Sequence, residues 1–212
     1  MPAVAASTTL MTDVAWVGIG GSKSRDLIQA GTQGAVQNGR VQYWAWYELL
    51  PDFQIVLPLV VAAGDKVSVS LTEMSEDLWF LSFENNTTGA AHYQVLEYNS
   101  KYTSAEWIQE MPTVTNRGGE RLYAPLAEFG AITFTDGWAV VDGKRKSIED
   151  ARGRAVTMTS REGRVPLAIP LQLNEDSFTV VRTSAVPSPA IFVGSGKRNR
   201  ANPADIVWSR AQ

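Results

Sequence analysis

Val67-Ser68-Val69-Ser70-Leu71-Thr72 alternates apolar and polar side chains with a period of two, and Ala131-Ile132-Thr133-Phe134-Thr135 and Ser177-Phe178-Thr179-Val180-Val181 follow the same habit. Successive side chains of an extended chain point to opposite faces, so this pattern describes strands with one buried face. Turn-forming residues punctuate the runs: Asn38-Gly39, Pro51-Asp52, Ala63-Gly64-Asp65, Asn85-Asn86, Asn116-Arg117-Gly118-Gly119, Asp136-Gly137 and Asp142-Gly143. No stretch keeps a 3.6-residue period over three turns; Ser147 to Ala151 could close one short helical turn. Many short strands between close turns predict an all-β fold, a two-sheet antiparallel β-sandwich.

Composition narrows the chemistry. The 212 residues include no cysteine and one histidine, His92, which removes thiol catalysis, Cys-ligated metals and multi-His metal sites. The net charge of −3 gives no global field for nucleic acid or an anionic membrane. The longest apolar run, Ile55 to Ala63, is interrupted by Pro58, far short of the roughly 20 residues of a spanning helix. The first residues lack the basic and long apolar regions of a signal peptide. Charge divides the chain: residues 1–183 sum to −6, whereas 184–212 sum to +3 and hold Pro187, Pro189, Gly194, Gly196, Pro203 and Lys197-Arg198-Asn199-Arg200. We therefore expect a sandwich domain over 1–183 and a basic tail of low order over 184–212. Two glycine-rich stretches, Gly18-Ile19-Gly20-Gly21 and Gly194-Ser195-Gly196-Lys197, lack the spacing of nucleotide-binding loops.

Two segments carry candidate chemistry. In Tyr43-Trp44-Ala45-Trp46-Tyr47-Glu48, alternation puts Tyr43, Ala45 and Tyr47 on one face and Trp44, Trp46 and Glu48 on the other. One face suits a core and the other a sheet surface or a substrate groove. In Glu106-Trp107-Ile108-Gln109-Glu110 both carboxylates share a face. Four residues of strand span roughly 13 Å, too far for a glycosidase pair, whose carboxyls lie about 5 to 9.5 Å apart.

Trp16-Val17-Gly18-Ile19-Gly20-Gly21, Leu27-Ile28-Gln29-Ala30-Gly31, Tyr43 to Pro51, Ala105 to Glu110 and Leu126 to Phe134, in that order and spacing, resemble the glutamic peptidases, or eqolisins. The resemblance covers about residues 14 to 183. It implies a concanavalin-like sandwich with a concave groove, and a usually secreted acid endopeptidase that cleaves polypeptides without metal or cofactor. It also implies a catalytic glutamate, which activates water and then protonates the leaving amine, and a glutamine that holds the water and stabilises the oxyanion. The glutamate maps onto Glu106. Counting back without gaps from Ala45 puts the glutamine position on Arg40, with Gln42 as a nearby substitute; Arg40 in that place would face Glu106 and attenuate or abolish activity. Tyr43, Trp44, Trp46, Trp107 and Glu110 are the expected substrate-binding residues. The family's strands before the first motif are expected to be missing. A pseudoenzyme that binds peptide or glycan is the alternative, and a glycosidase would need Glu48 beside Glu106. The group facing Glu106 separates the three: an amide for a peptidase, a carboxylate for a glycosidase, neither for a binder.

Overall fold

A computed structural model describes residues 1–7, 10–115, 121–160 and 163–184. The expected tail lies outside the described residues from 185 onward. The chain opens with three long strands, β1 (Met11–Gly20), β2 (Leu27–Gln37) and β3 (Arg40–Leu49), and a short β4 (Ile55–Val56). A meander follows, β5 (Val67–Ser75), β6 (Leu78–Asn85) and β7 (Ala90–Glu97), and then β8 (Ala105–Glu110). Eight short strands complete the described chain: β9 (Thr113–Thr115), β10 (Arg121–Tyr123), β11 (Ala131–Phe134), β12 (Trp138–Val141), β13 (Lys144–Ser147), β14 (Met158–Thr159), β15 (Pro166–Pro170) and β16 (Phe178–Arg182). No helix occurs among the described residues.

Pairing is antiparallel throughout these strands. One sheet runs β4-β3-β2-β1-β8, a second β5-β6-β7 and a third β11-β16-β15-β14, with β9–β10 and β12–β13 as two-stranded ribbons. The turn chemistry read from the sequence sets the hairpins. Asn38 and Gly39 take φ of 52° and 73°, and Asp142 and Gly143 take 53° and 72°. Two consecutive left-handed residues make the tight turn whose twist matches that of the flanking strands. The Asn85 to Gly89 stretch turns β6 into β7, with buried Asn85 accepting the N–H groups of Thr87 and Thr88 on its side-chain oxygen.

The five-stranded sheet packs one face on the meander. Ile28, Ala30, Ala45 and Tyr47 meet Trp79, Leu81, Phe83 and Leu96, sealed by Leu57, Leu59 and Val61. These last three alternate with exposed residues including Val60, so the run around Pro58 is an amphipathic extended segment. Burial of each large side chain here contributes about 1.5–3 kcal/mol. A second core, Leu126, Phe129, Leu167, Ala168 and Val180, belongs to the β11-β16-β15-β14 sheet. The sandwich is thus present, with one core between the five-stranded sheet and the meander and another on the β11-β16-β15-β14 sheet. β3 and β8 share one sheet, but β2 and β1 lie between them, so residues 40–50 and 104–110 are not on neighbouring strands.

Candidate active site

The long strands set the site by register alone. Glu106 of β8 lies opposite Gly18 of β1, Gly18 opposite Gln29 of β2, and Gln29 opposite Glu48 of β3. Directly opposed residues share a face, so these four form one row on the side of the sheet away from the meander. The next row along is Ile108, Trp16, Gly31 and Trp46, and the one after it Glu110, Val14, Gln33 and Trp44. Val14, Trp16, Leu27 and Trp46 bury one another there, with Trp44, Leu50 and Ile108 at their margin. The aromatic segment therefore divides as alternation requires: Ala45 and Tyr47 enter the core, while Trp44 and Trp46 build the floor beside the polar row.

Glu106 and Gln29 are separated by two strand spacings, about 9–10 Å between Cα atoms, with only a glycine between them. Both side chains rise from the same face, and Gly18 places no side chain between them. A Cβ at Gly18 would lie 3.0 Å from Trp16 Cζ3, Leu27 Cδ1 and the Ile28 carbonyl, so the glycine is what permits this close floor. Gly20 and Gly21, at φ of 100° and 87°, carry the chain around the carboxylate; an added Cβ on Gly21 would be 3.7 Å from Glu106 Oε1. Ser104 Oγ lies 2.8 Å from that oxygen and 2.6 Å from the Gly20 carbonyl. Its single proton serves one or the other. With Glu106 ionised the hydroxyl can donate to the carboxylate; with Glu106 protonated the carboxyl can donate to Ser104, which then turns to Gly20.

Burial raises the pKa of Glu106 above the ordinary glutamate value, opposed by the Ser104 bond. Glu110 is raised as well, first by burial and then by the like charges of Glu48 and Glu106, while the Trp16 indole opposes this by donating to Oε2 at 2.7 Å. Gln29 is 6% exposed. Its Nε2 donates to Glu48 Oε2, and its Oε1 is buried with no donor among the described residues. No group of three or more potential metal ligands occurs among the described residues.

Several expectations for the site fail on register. Arg40 pairs with Gln37 at the far end of the β2–β3 hairpin, eight residues or roughly 27 Å along the strand from Glu48. It cannot face Glu106, and the ion pair found among the described side chains is Arg182 with Glu128. Arg40 and Gln42 instead line a cleft of about 480 Å³ with Ala35, Gln37 and Asn38. Tyr43 points to the other side of the sheet, where its hydroxyl accepts the Val4 N–H. Trp107 lies opposite Val17, in the row of Ala30 and Tyr47, and so is also on the side away from Glu106. Trp44, Trp46 and Glu110 do share the face of Glu106. The amide in the row of Glu106 is Gln29, which the ungapped count from Ala45 overlooked. Its signal lay in Leu27-Ile28-Gln29-Ala30-Gly31, a polar residue in a strand buried on both faces.

A sequence model of the Peptidase A4 family matches residues 1–182. Aspergillopepsin-2 of Aspergillus niger is 31% identical over 162 residues, 70% of this chain and 56% of that protein, so the chain spans little more than half of that relative's length. The crystal structure of aspergilloglutamic peptidase from Aspergillus niger superposes with a TM-score of 0.70 at 26% identity, covering 82% of this chain and 99% of that one. Scytalido-glutamic peptidase, solved with a peptide-based transition state analogue, gives a TM-score of 0.74 at 24% identity over 86% and 88% of the two chains. SCP-B, an eqolisin solved with the tripeptide Ala-Ile-His, gives 0.71 at 22% identity over the same shares. The last two likenesses concern the fold.

Proposed function

This chain belongs to the Peptidase A4 family, and from that premise we propose that it is an acid endopeptidase of the glutamic type, with Glu106 as base and Gln29, in place of Arg40, as its amide partner. The observation that carries the reading is the row Glu106-Gly18-Gln29, a carboxylate and an amide on one face with a glycine gap between them. A water held over Gly18 would give its proton to Glu106 and attack the carbonyl carbon of a bound peptide. Gln29 has the donor needed beside it: an amide N–H that can hold the oxygen of that water and then stabilise the developing oxyanion. Glu106 then passes the proton to the leaving nitrogen, its raised pKa making it a better proton carrier than an exposed glutamate. A polypeptide is the substrate, lying along the floor of Trp16, Trp44 and Trp46 with Glu110 at the margin. A glycosidase is disfavoured because the carboxylate of Glu48 is bonded to Gln29 and stands three strands from Glu106.

Cleavage of a denatured protein between pH 2 and pH 6 tests this. Wild type should cleave, Glu106→Gln and Gln29→Ala should lose at least about 100-fold in rate, and Arg40→Gln should match wild type. An inactive wild type bearing an intact fold would favour the peptide-binding alternative, and an Arg40→Gln gain would restore Arg40 to the site.

A further inference from the structure

We infer that Glu48 is a positioning residue that sets which way the Gln29 amide faces. The inference deepens the proposed function and rests on it for its consequence in turnover. Gln29 and Glu48 are direct cross-strand partners on one face of β2 and β3, so their side chains stand side by side. The Gln29 Nε2 donates to Glu48 Oε2. Gln29 is almost entirely buried and its Oε1 meets no donor among the described residues, so neither bulk water nor another side chain dictates the amide orientation.

A glutamine amide can rotate by half a turn and exchange its oxygen and nitrogen at almost no cost in shape. Only a partner that tells donor from acceptor chooses between the two states. An ionised carboxylate accepts and never donates, so Glu48 admits Nε2 and rejects Oε1. One N–H is thereby committed to β3. The second N–H is left for the reacting water and the oxyanion, while the carbonyl oxygen stays buried. A neutral side chain at position 48 that both donates and accepts would tolerate either orientation and leave part of the population turned the wrong way.

The charged groups that sense Glu48 across the row are on β8: Glu110, whose pKa Glu48 raises, and Glu106, which acts on Glu110 in the same direction. The intervening strands contribute Gly18 and Gln29, and the short β4 on the other flank contributes Ile55 and Val56, none of which ionises.

The experiment compares wild type, Glu48→Gln, Gln29→Ala and the double variant. Glu48→Gln keeps shape and volume but loses the discrimination between donor and acceptor. Its kcat should fall by roughly 10- to 100-fold, the usual loss when a group that orients an active-site residue is removed, with KM within about twofold and the melting temperature unchanged. In the Gln29→Ala background the same substitution should add no further loss, because there is no amide left to orient. Unchanged kcat in Glu48→Gln, or a full additional loss in the double variant, overturns the inference. Side-chain amide NMR on Glu106→Gln reads the orientation without turnover. One Gln29 amide proton should be protected from exchange and lose that protection when Glu48→Gln is added. Two freely exchanging Gln29 protons in Glu106→Gln would overturn the inference even if the catalytic pair is correct. An active Glu106→Gln with a protected Gln29 proton would overturn the catalytic pair and leave the positioning intact.

Discussion

Asp13 is a buried titratable residue that the proposed chemistry does not use. It lies on β1 on the side of the sheet away from Glu106, 2% exposed, and accepts from Gln109 Nε2 at 3.1 Å. Its other oxygen, Oδ1, and Gln109 Oε1 are both buried without a donor among the described residues. Burial raises its pKa to about 6, against the lowering effects of the Gln109 bond and the Met1 ammonium. A carboxyl whose folded pKa exceeds the unfolded one, 3.8, binds its proton more tightly in the fold. The contribution to stability is complete below about pH 4 and is lost as the pH rises to about 6, a change of up to about 3 kcal/mol. Asp13→Asn removes this dependence. Urea midpoints should coincide for wild type and Asp13→Asn at pH 4, and the variant should be the more stable by up to about 3 kcal/mol at pH 7; parallel curves over that range would show that the carboxyl is not the source. The direction agrees with the proposed cleavage in acid, and it comes from one side chain rather than from the net charge.

At the scale of the strand, two glycines on the same face of the five-stranded sheet are set different tasks. A Cβ on Gly31 would lie 2.0 Å from the Ala15 carbonyl and 2.7 Å from Trp16 Cα, both backbone atoms of the paired strand. Nothing flexible can move aside. Gly31→Ala should therefore break the β1–β2 ladder at its centre, costing about 3 kcal/mol or more and lowering the melting temperature by roughly 10 °C. At Gly18 two of the three atoms met at 3.0 Å belong to the side chains of Trp16 and Leu27, which can yield. Gly18→Ala should cost about 1–2 kcal/mol but at least tenfold in kcat, since the methyl group enters the gap between Glu106 and Gln29. Thermal melts and kinetics on the two variants read the contrast directly; equal activity loss at equal stability would sink it. The same strands show where the sequence stops being legible. The period-two split of Trp44 and Trp46 from Ala45 and Tyr47 could be read directly, because alternation is local, and so could the common face of Glu106 and Glu110. By that rule Trp107 and Tyr43 belong off the groove face, and counting aromatic residues instead of faces misplaced them. Gln29 is a different case. Its place beside Glu106 depends on two registers, β1 on β8 and β1 on β2, between residues about 80 positions apart in the chain. The count from Ala45 ran along a single hairpin and ended at Arg40, on the correct face but at the wrong end of the strand.

Across the whole described molecule, the core around Trp79 and the core around Leu126 raise the question of what ties them together. Thr12 of β1 bridges to Leu126, and their backbone bonds continue through Thr12 to Pro125 and Ala127 to Thr12. Arg182, at the end of β16, extends this join. Its side chain is 1% exposed and its guanidinium donates to the carbonyls of Ala127, Leu167 and Thr183 and to Glu128 Oε1 at 2.9 Å. Ala127 in turn packs with Val4 and Val36, so the guanidinium couples the third sheet to the segment that covers β1 and β2. The carboxylate is half exposed, which makes the ion pair itself a minor contributor, worth at most about 1 kcal/mol. The carbonyls matter more. Arg182→Met fills similar volume but strips the buried Ala127 carbonyl of its guanidinium donor, while the Leu167 carbonyl keeps the Thr183 N–H, so a loss of about 1–3 kcal/mol is expected. Glu128→Gln should cost less than about 1 kcal/mol. If the join transmits stability between the two cores, urea unfolding of Arg182→Met followed separately by the Trp79 region and by the Phe134–Phe178 stack should split into two transitions where wild type shows one. A single coincident transition in the variant would mean that the Thr12–Leu126 bridge alone is sufficient to couple them.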